Sequence, residues 1–205
     1  GHLGMDAMPK ILNVKCAPLS RGYSAQIRFA YNIRAPPSIE FRMKYFGTDG
    51  IRGIYGEGIT EDVAYRAGRA LAYLFGGTGI VGRDTRVSGP GLEEALCAGL
   101  TDGGADAVTV GIATTPEVAY LARCAGAAFG VSLSASHNPP EYNGIKIFSG
   151  SGRKLSVSAE EALEYYMDNV PPRTGGGTRS SDPSAGEKYR GSLEKAASDL
   201  GAAAG

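Results

Sequence analysis

The sequence predicts an α/β protein, a layered α/β/α domain with a mixed, mostly parallel sheet. Helical and strand-like patterns alternate from Met43 to Val170, and such alternation favours a sheet with crossover helices. The chain is 42% hydrophobic and 20% charged, so it can bury a core. It also has 31 glycines in 205 residues, which predicts many tight turns between the elements.

Helix-like stretches follow residues that favour a helix start. In "ITEDVAYRAGRALAYLF", Thr60 precedes two acids, and Val63, Ala67, Leu71 and Leu74 share one face. Three further helices are predicted on similar grounds: 88–100 capped by Ser88, 114–123 with Thr115 before Pro116, and 158–170 with early acids.

Strand-like stretches lie between these helices. They are short, apolar and rich in β-branched residues, and some alternate polar with apolar positions. The predicted strands are 79–82, 106–111, 127–133 and 144–148.

The chain divides into four predicted segments. Residues 1–42 show no sustained period and hold six Lys/Arg against two acids, so they are interpreted as an extension, disordered or non-native. Residues 43–170 form the predicted domain. Residues 171–186, "PPRTGGGTRSSDPSAG", are predicted to be a flexible linker, and residues 187–205 a terminal helix.

Composition excludes several classes of function. Residues 43–205 carry more acids than bases, which argues against nucleic-acid binding. The cysteines lack a C-x-x-C spacing, which argues against a zinc site. No apolar run approaches the ~20 residues that a membrane crossing needs, and no signal peptide is recognisable, so we expect a cytoplasmic protein.

The stretch "SLSASHNPPEYNGIKIF" follows the predicted strand 127–133. Ligands of open α/β sheets collect beyond the carboxyl ends of strands, where Ser136, His137 and Asn138 would lie. Ser136 could be a nucleophile, a phosphate carrier or a backbone cap, and a simple Ser/Asn-rich turn closed by prolines explains the residues about equally well. Without a G-x-S-x-G or Walker A motif, a hydrolase elbow and a P-loop have little support.

Further stretches are typical of anion handling. "FGTDGIRG" sets Thr48, Asp49 and Arg52 in a glycine-punctuated turn whose backbone N–H groups could form a phosphate nest. In "NGIKIF", Lys146 is either an ordinary solvent-facing residue or a cation facing the 134–140 loop.

"GRDTRVSG" places Arg83, Asp84 and Arg86 between a strand and a helix. Either arginine could support a phosphate-binding loop. The simpler interpretation, which we favour from sequence, is that one of them braces the loop together with Asp84.

Together, four stretches resemble the first domain of the α-D-phosphohexomutase family. "MKYFGTDGIRG", "GRDTRVSG", "TTPEVAYL" and "SASHNPPEYNGIKIF" occur in that domain's order and approximate spacing, over about residues 43–170. The first stretch looks most like the phosphoglucosamine mutase branch. The last also looks like phosphoglucomutase/phosphomannomutase relatives.

The resemblance implies a role for each matching residue. Ser136 would carry a phosphate, give it to a hexose phosphate to form a bisphosphate, and recover the other phosphate; the phosphate on Ser136 would also bind Mg²⁺. His137, Lys146 and Arg52 would surround the transferring group. Supporting residues would be Thr48, Asp49, Asn138, Arg83 and Arg86. A hexose 1,6-bisphosphate would serve as activator.

The family's further domains carry a D-G-D-x-D-R metal loop, a sugar-selecting loop and a phosphate-binding loop. No stretch of the 205 residues matches D-x-D-x-D, so the sequence resembles a first domain without domains II–IV. We therefore expect no useful mutase activity from this chain alone. We also expect exposed apolar surface and a possible homodimer.

Three functional hypotheses remain open at this point. The first is the catalytic-serine domain of a phosphoglucosamine mutase, or of a related phosphoglucomutase/phosphomannomutase. The second is a non-catalytic module that binds phosphate or a partner with the same loops. The third is a fragment with no role of its own.

Overall fold

The computed structural model describes residues 44–172 and 175–203, and the predicted extension 1–42 lies outside them. In these ranges the chain forms a seven-stranded sheet in the order β1-β2-β6-β5-β3-β4-β7. The strands are Phe46–Gly47 (β1), Gly50–Ile54 (β2), Thr78–Arg83 (β3), Asp106–Ile112 (β4), Phe129–Leu133 (β5), Tyr142–Ser149 (β6) and Arg179–Ser181 (β7).

The sheet is mixed, as predicted, but only one half of it is parallel. Strands β5, β3, β4 and β7 run in parallel, whereas β1, β2, β6 and β5 pair antiparallel. The antiparallel half arises because β5 and β6 are joined by a loop without a crossover helix. That loop is the stretch 134–141, so the serine of interest lies where the sheet changes direction.

Helices cover both faces of the sheet, which confirms the α/β/α layering. The helices are Glu61–Leu74 (α1), Gly89–Asp102 (α2), Thr115–Cys124 (α3), Val157–Asn169 (α4) and Ala185–Ala203 (α5). Adjacent residues of a strand face opposite sides of the sheet and pack into different hydrophobic cores. Val81 packs with Leu71 and Leu163 on the side of α1, α2 and α4, whereas Ile80 packs with Val118 and Leu121 on the side of α3.

Two of the predicted helix starts need correction. The cap of α3 is Thr114 rather than Thr115: its side chain accepts from the N–H of Glu117, whose carboxylate accepts in turn from the N–H of Thr114. Helix α4 begins one residue before the predicted range, at Val157, because Ser156 is its cap and the Ser156 side chain accepts from the N–H of Ala159. The Thr60 cap of α1 is confirmed.

Two stretches that sequence patterns left irregular contain strands. "FGTDGIRG" is a β-hairpin, with Thr48 and Asp49 in the turn between β1 and β2. The stretch 171–186, predicted to be a linker, contains β7, because Asp106 accepts from the N–H and hydroxyl of Thr178 and guides the chain along β4. Its last residues already belong to α5, which begins at Ala185.

Helices α1 and α2 touch backbone to backbone. A Cβ on Gly99 would lie 2.1 Å from the Tyr65 carbonyl oxygen, and one on Gly68 would lie 2.3 Å from that of Leu96. Neither contact tolerates a side chain. The two glycines therefore determine how closely these helices pack. This packing in turn positions the N-terminal end of α2 beside the serine loop.

Candidate functional site

Ser136 is exposed at the carboxyl-end edge of the sheet and has an uncommon backbone conformation. Its φ is +55°, and it is the one non-glycine with positive φ in 44–172 and 175–203. A left-handed residue with a Cβ costs roughly 1–2 kcal/mol. Its N–H donates to the Ser134 hydroxyl at 3.0 Å. Such conformations persist where the surroundings hold them, and they cluster at functional sites.

The Ser136 hydroxyl is in direct contact with a buried cation. Lys146 Nζ, on the neighbouring strand β6, donates to Ser136 Oγ at 2.7 Å. The same ammonium forms an ion pair with Asp49 at 2.7 Å, and the Lys146 residue is only 9% exposed. The structure thus joins three of the predicted site residues from one strand, one loop and one hairpin turn.

Arg86 holds the backbone of the serine loop. Its guanidinium donates to the carbonyl oxygens of Ser136 (3.1 Å), Asn138 (2.8 Å), Tyr142 (2.9 Å) and Pro139. Asp84 accepts from the Nε and the backbone N–H of Arg86, both at 3.0 Å. This geometry fits the bracing interpretation: Arg86 fixes the conformation of the loop, and its side chain is only 11% exposed.

Arg52 and Asn138 also meet, with Arg52 Nη1 donating to the Asn138 side-chain oxygen at 3.2 Å. Arg52 is exposed on β2, so its remaining donors face solvent near the serine loop. His137 is exposed too, and no other described residue hydrogen-bonds its side chain. Both side chains are placed to reach a ligand at this edge.

The structure does not bring Arg83 to the serine loop. Its side chain forms an ion pair with Glu93 of α2 at 3.4 Å, and Glu93 also pairs with Arg179 of β7 at 3.5 Å. Burial raises the pKa of Glu93, and the two arginines oppose this only in part. Arg83 therefore ties β3 to α2 and β7.

A cleft of about 890 Å³ opens beside Ser136 at the ends of β3, β4 and β5. Ser136, Arg86 and Thr114 are among its lining residues, together with Val87 and Ile112, which are 98% and 63% exposed. A bulge after Val81 shifts the register of β3 and β4 near Ile112. Ser136 thus has an open cleft on one side and Lys146 on the other.

Sequence patterns missed the residues that support the 44–50 hairpin. Buried Glu164 of α4 accepts from the N–H groups of Phe46 and Lys44, and buried Glu160 pairs with Lys154. A signal was present, because both acids fall on the helix face that also carries Leu163.

The described residues do not form a metal site by themselves. In 44–172 and 175–203 no cluster of three or more His, Cys, Asp or Glu side chains could hold an ion. Mg²⁺ prefers several oxygen ligands in octahedral geometry, so these residues alone do not fit it. In the same ranges, no helix is both long and apolar enough to cross a membrane.

The fold and the serine loop define a class of protein. Residues 43–173 match the family model described as "Phosphoglucomutase/phosphomannomutase, alpha/beta/alpha domain I", and the chain belongs to this family. It is 30% identical to a phosphoglucomutase/phosphomannomutase family protein from Burkholderia thailandensis, with a TM-score of 0.64 over 72% of this chain and 35% of that one. For a Thermus thermophilus structure titled putative phosphomannomutase, the identity is 31% and the TM-score 0.59 over 70% and 34%.

The two curated relatives described next share one name, phosphoglucosamine mutase. The chain is 48% identical over 161 residues to a phosphoglucosamine mutase from Thermotoga sp. (strain RQ2), which covers 77% of this chain and 37% of the relative. It is 54% identical over 129 residues to that of Thermotoga maritima, covering 62% and 30%. The match therefore spans only 30–37% of the length of these relatives.

Proposed function

We propose that this chain is the catalytic-serine domain of a phosphoglucosamine mutase, which converts glucosamine 6-phosphate to glucosamine 1-phosphate. The observation that carries the proposal is the contact of Lys146 Nζ with Ser136 Oγ beside an open cleft. The identity to relatives of that name, 44–54% among those compared, exceeds the 30–31% to the phosphoglucomutase/phosphomannomutase structures.

In the proposed reaction, Ser136 carries a phosphate that faces the cleft. A sugar hydroxyl attacks the phosphorus, the Oγ–P bond breaks, and a new O–P bond forms on the sugar. Lys146 stabilises the negative charge that develops on Oγ. The proton of the sugar hydroxyl replaces the lost phosphoryl group on Ser136. The bisphosphate then returns its other phosphate to Ser136 by the reverse steps.

The other residues contribute positioning and charge, which are the main requirements of phosphoryl transfer. Arg52 and His137 are exposed beside the loop and would contact phosphate oxygens. Arg86 would hold the loop so that Oγ faces the cleft. Mg²⁺ would bind through the Ser136 phosphate, and a hexose 1,6-bisphosphate would serve as activator.

The proposal is tested by turnover of the protein purified from its source with three substrates: the 6-phosphates of glucosamine, glucose and mannose. We expect the highest kcat/KM for glucosamine 6-phosphate. Ser136→Ala should lower kcat at least about a thousandfold, because the phosphate carrier is lost. Ser151→Ala, an exposed serine on a different loop, is the matched control and should leave kcat unchanged.

Two results would contradict the proposal. Retained turnover in Ser136→Ala would exclude Ser136 as the carrier. A preference for glucose or mannose phosphates would assign the chain to the phosphoglucomutase/phosphomannomutase branch instead. We also expect the 205 residues alone to show no useful turnover, since residues 44–172 and 175–203 do not by themselves form a metal site.

A further inference from the structure

The Asp49 carboxylate that pairs with Lys146 lies at the tip of an edge hairpin. Strand β1 has only two residues and, within the part of the chain that the structure describes, pairs with β2 alone, so its own hydrogen bonds hold it weakly. Asp49 is more than half exposed, with 56% of its side chain accessible. Something other than β1 must therefore fix the turn that places Asp49 2.7 Å from Lys146.

Helix α4 supplies that support with two carboxylates one turn apart. Glu164, 2% exposed, accepts from the N–H of Phe46 at 2.9 Å and from that of Lys44. It thereby satisfies the outer, unpaired edge of β1. Glu160, 5% exposed, forms an ion pair with Lys154 at 3.2 Å.

Lys154 connects Glu160 to the turn itself. Its Nζ donates to the carbonyl oxygen of Thr48 at 2.7 Å, directly before Asp49. On the other side of the turn, Gly50 has a φ of +91°, and a Cβ there would lie 2.4 Å from the Ile145 carbonyl oxygen. The turn is thus held between β6 and the ammonium of Lys154.

We propose that Glu160 and Lys154 are positioning residues for the serine site, acting through the Thr48–Asp49 turn on Lys146. Glu160 orients Lys154, Lys154 fixes the Thr48 carbonyl, and the fixed turn keeps Asp49 on Lys146. Lys146, paired with Asp49, is in turn held on Ser136 Oγ. The inference deepens the proposed function, since it concerns the cation beside the proposed phosphate carrier.

The test follows the Lys146 ammonium directly by ¹⁵N NMR of the 205-residue chain. The Lys146 Nζ signal is assigned by its absence in Lys146→Met, and the exchange rate of its protons is measured in each variant. A shielded ammonium held by two partners exchanges slowly. Lys154→Met and Glu160→Gln should each raise this rate roughly tenfold or more, the factor that loss of a hydrogen bond to a charged group gives.

Two controls separate positioning from general stability. Lys154→Arg can still donate to Thr48 and pair with Glu160, so it should restore slow exchange. Glu161→Gln removes a neighbouring acid of the same helix and should leave the rate unchanged. If Glu160→Gln fails to fold, Lys154→Met decides, because it replaces a side chain that is 48% exposed.

The inference is overturned if both variants lower the melting temperature but leave Lys146 exchange within twofold of the original chain, since the pair would then be merely structural. It is also overturned if the Lys146 ammonium exchanges rapidly in the unaltered chain. The measurement needs no phosphoryl transfer. A chain whose Lys146 responds as expected but whose Ser136 is never phosphorylated would refute the proposed function alone.

Discussion

Replacing Arg86 with Met is expected to lower the free energy of unfolding by about 3 kcal/mol, the low end of the cost of removing one partner of a buried ion pair, because this pair is only partly buried. The substitution leaves the Asp84 carboxylate unpaired and removes the donor to the Ser136 and Asn138 carbonyls. For a chain of this length, the melting temperature should fall by roughly 6–12 °C. Thermal unfolding followed by circular dichroism measures this.

The same substitution should release the serine loop. Without the clamp, Ser136 can leave its left-handed conformation, and hydrogen exchange of the 134–142 amides should accelerate more than that of the core strands. Arg86→Lys keeps the charge but lacks the planar fork, so an intermediate effect is expected. A melting temperature within 2 °C of the original chain for Arg86→Met would contradict the clamp.

Gly99→Ala should destabilise the fold by about 3 kcal/mol, because overpacking a close contact forces the backbone to move. The added methyl group would lie 2.1 Å from the Tyr65 carbonyl oxygen of the facing helix. The matched control is Gly191→Ala in α5, where, apart from the adjacent backbone of α5 itself, no atom of the described residues lies within 4 Å of the new Cβ. That variant should instead be stabilised by about 0.5–1 kcal/mol from helix propensity.

Urea unfolding of both alanine variants measures the contrast. Changes in the free energy of unfolding that have opposite signs at Gly99 and Gly191 would establish that the α1–α2 contact determines the effect at Gly99, rather than a general preference for alanine. Equal stability changes at the two positions would contradict the close packing of these helices.

Periodicity predicted most of the fold because its core elements are locally consistent. Buried strands such as Thr78–Arg83 carry continuous apolar runs, and α1 has a cap, early acids and one apolar face. Strands β1, β2 and β7 were missed: β1 and β7 are only two and three residues long, and β2 lies in a glycine-punctuated stretch that was predicted to be a turn. The pairing of β1 and β7 depends on Glu164 and Asp106, which are distant in sequence, and no local pattern reveals such partners.

The candidate site was predictable only in part. The resemblance singled out Ser136 and Lys146, and the structure places them in contact. Sequence favoured a bracing role for Arg83 or Arg86 but could not show which arginine braces the loop, since the four carbonyls that Arg86 contacts lie about fifty residues away. Arg83, similar in its local context, turns to Glu93 instead.

The central claim is that Ser136 carries a phosphate, and phosphopeptide mapping with intact-mass measurement on protein from its native source tests it most directly. The account predicts a fraction of chains about 80 Da heavier, the mass of one phosphoryl group, with the modification on the peptide containing Ser136. The added mass should be lost when the protein is incubated with a hexose monophosphate, which accepts the phosphoryl group. Ser136 that is unmodified in every chain, even after incubation with a hexose 1,6-bisphosphate, would contradict the account.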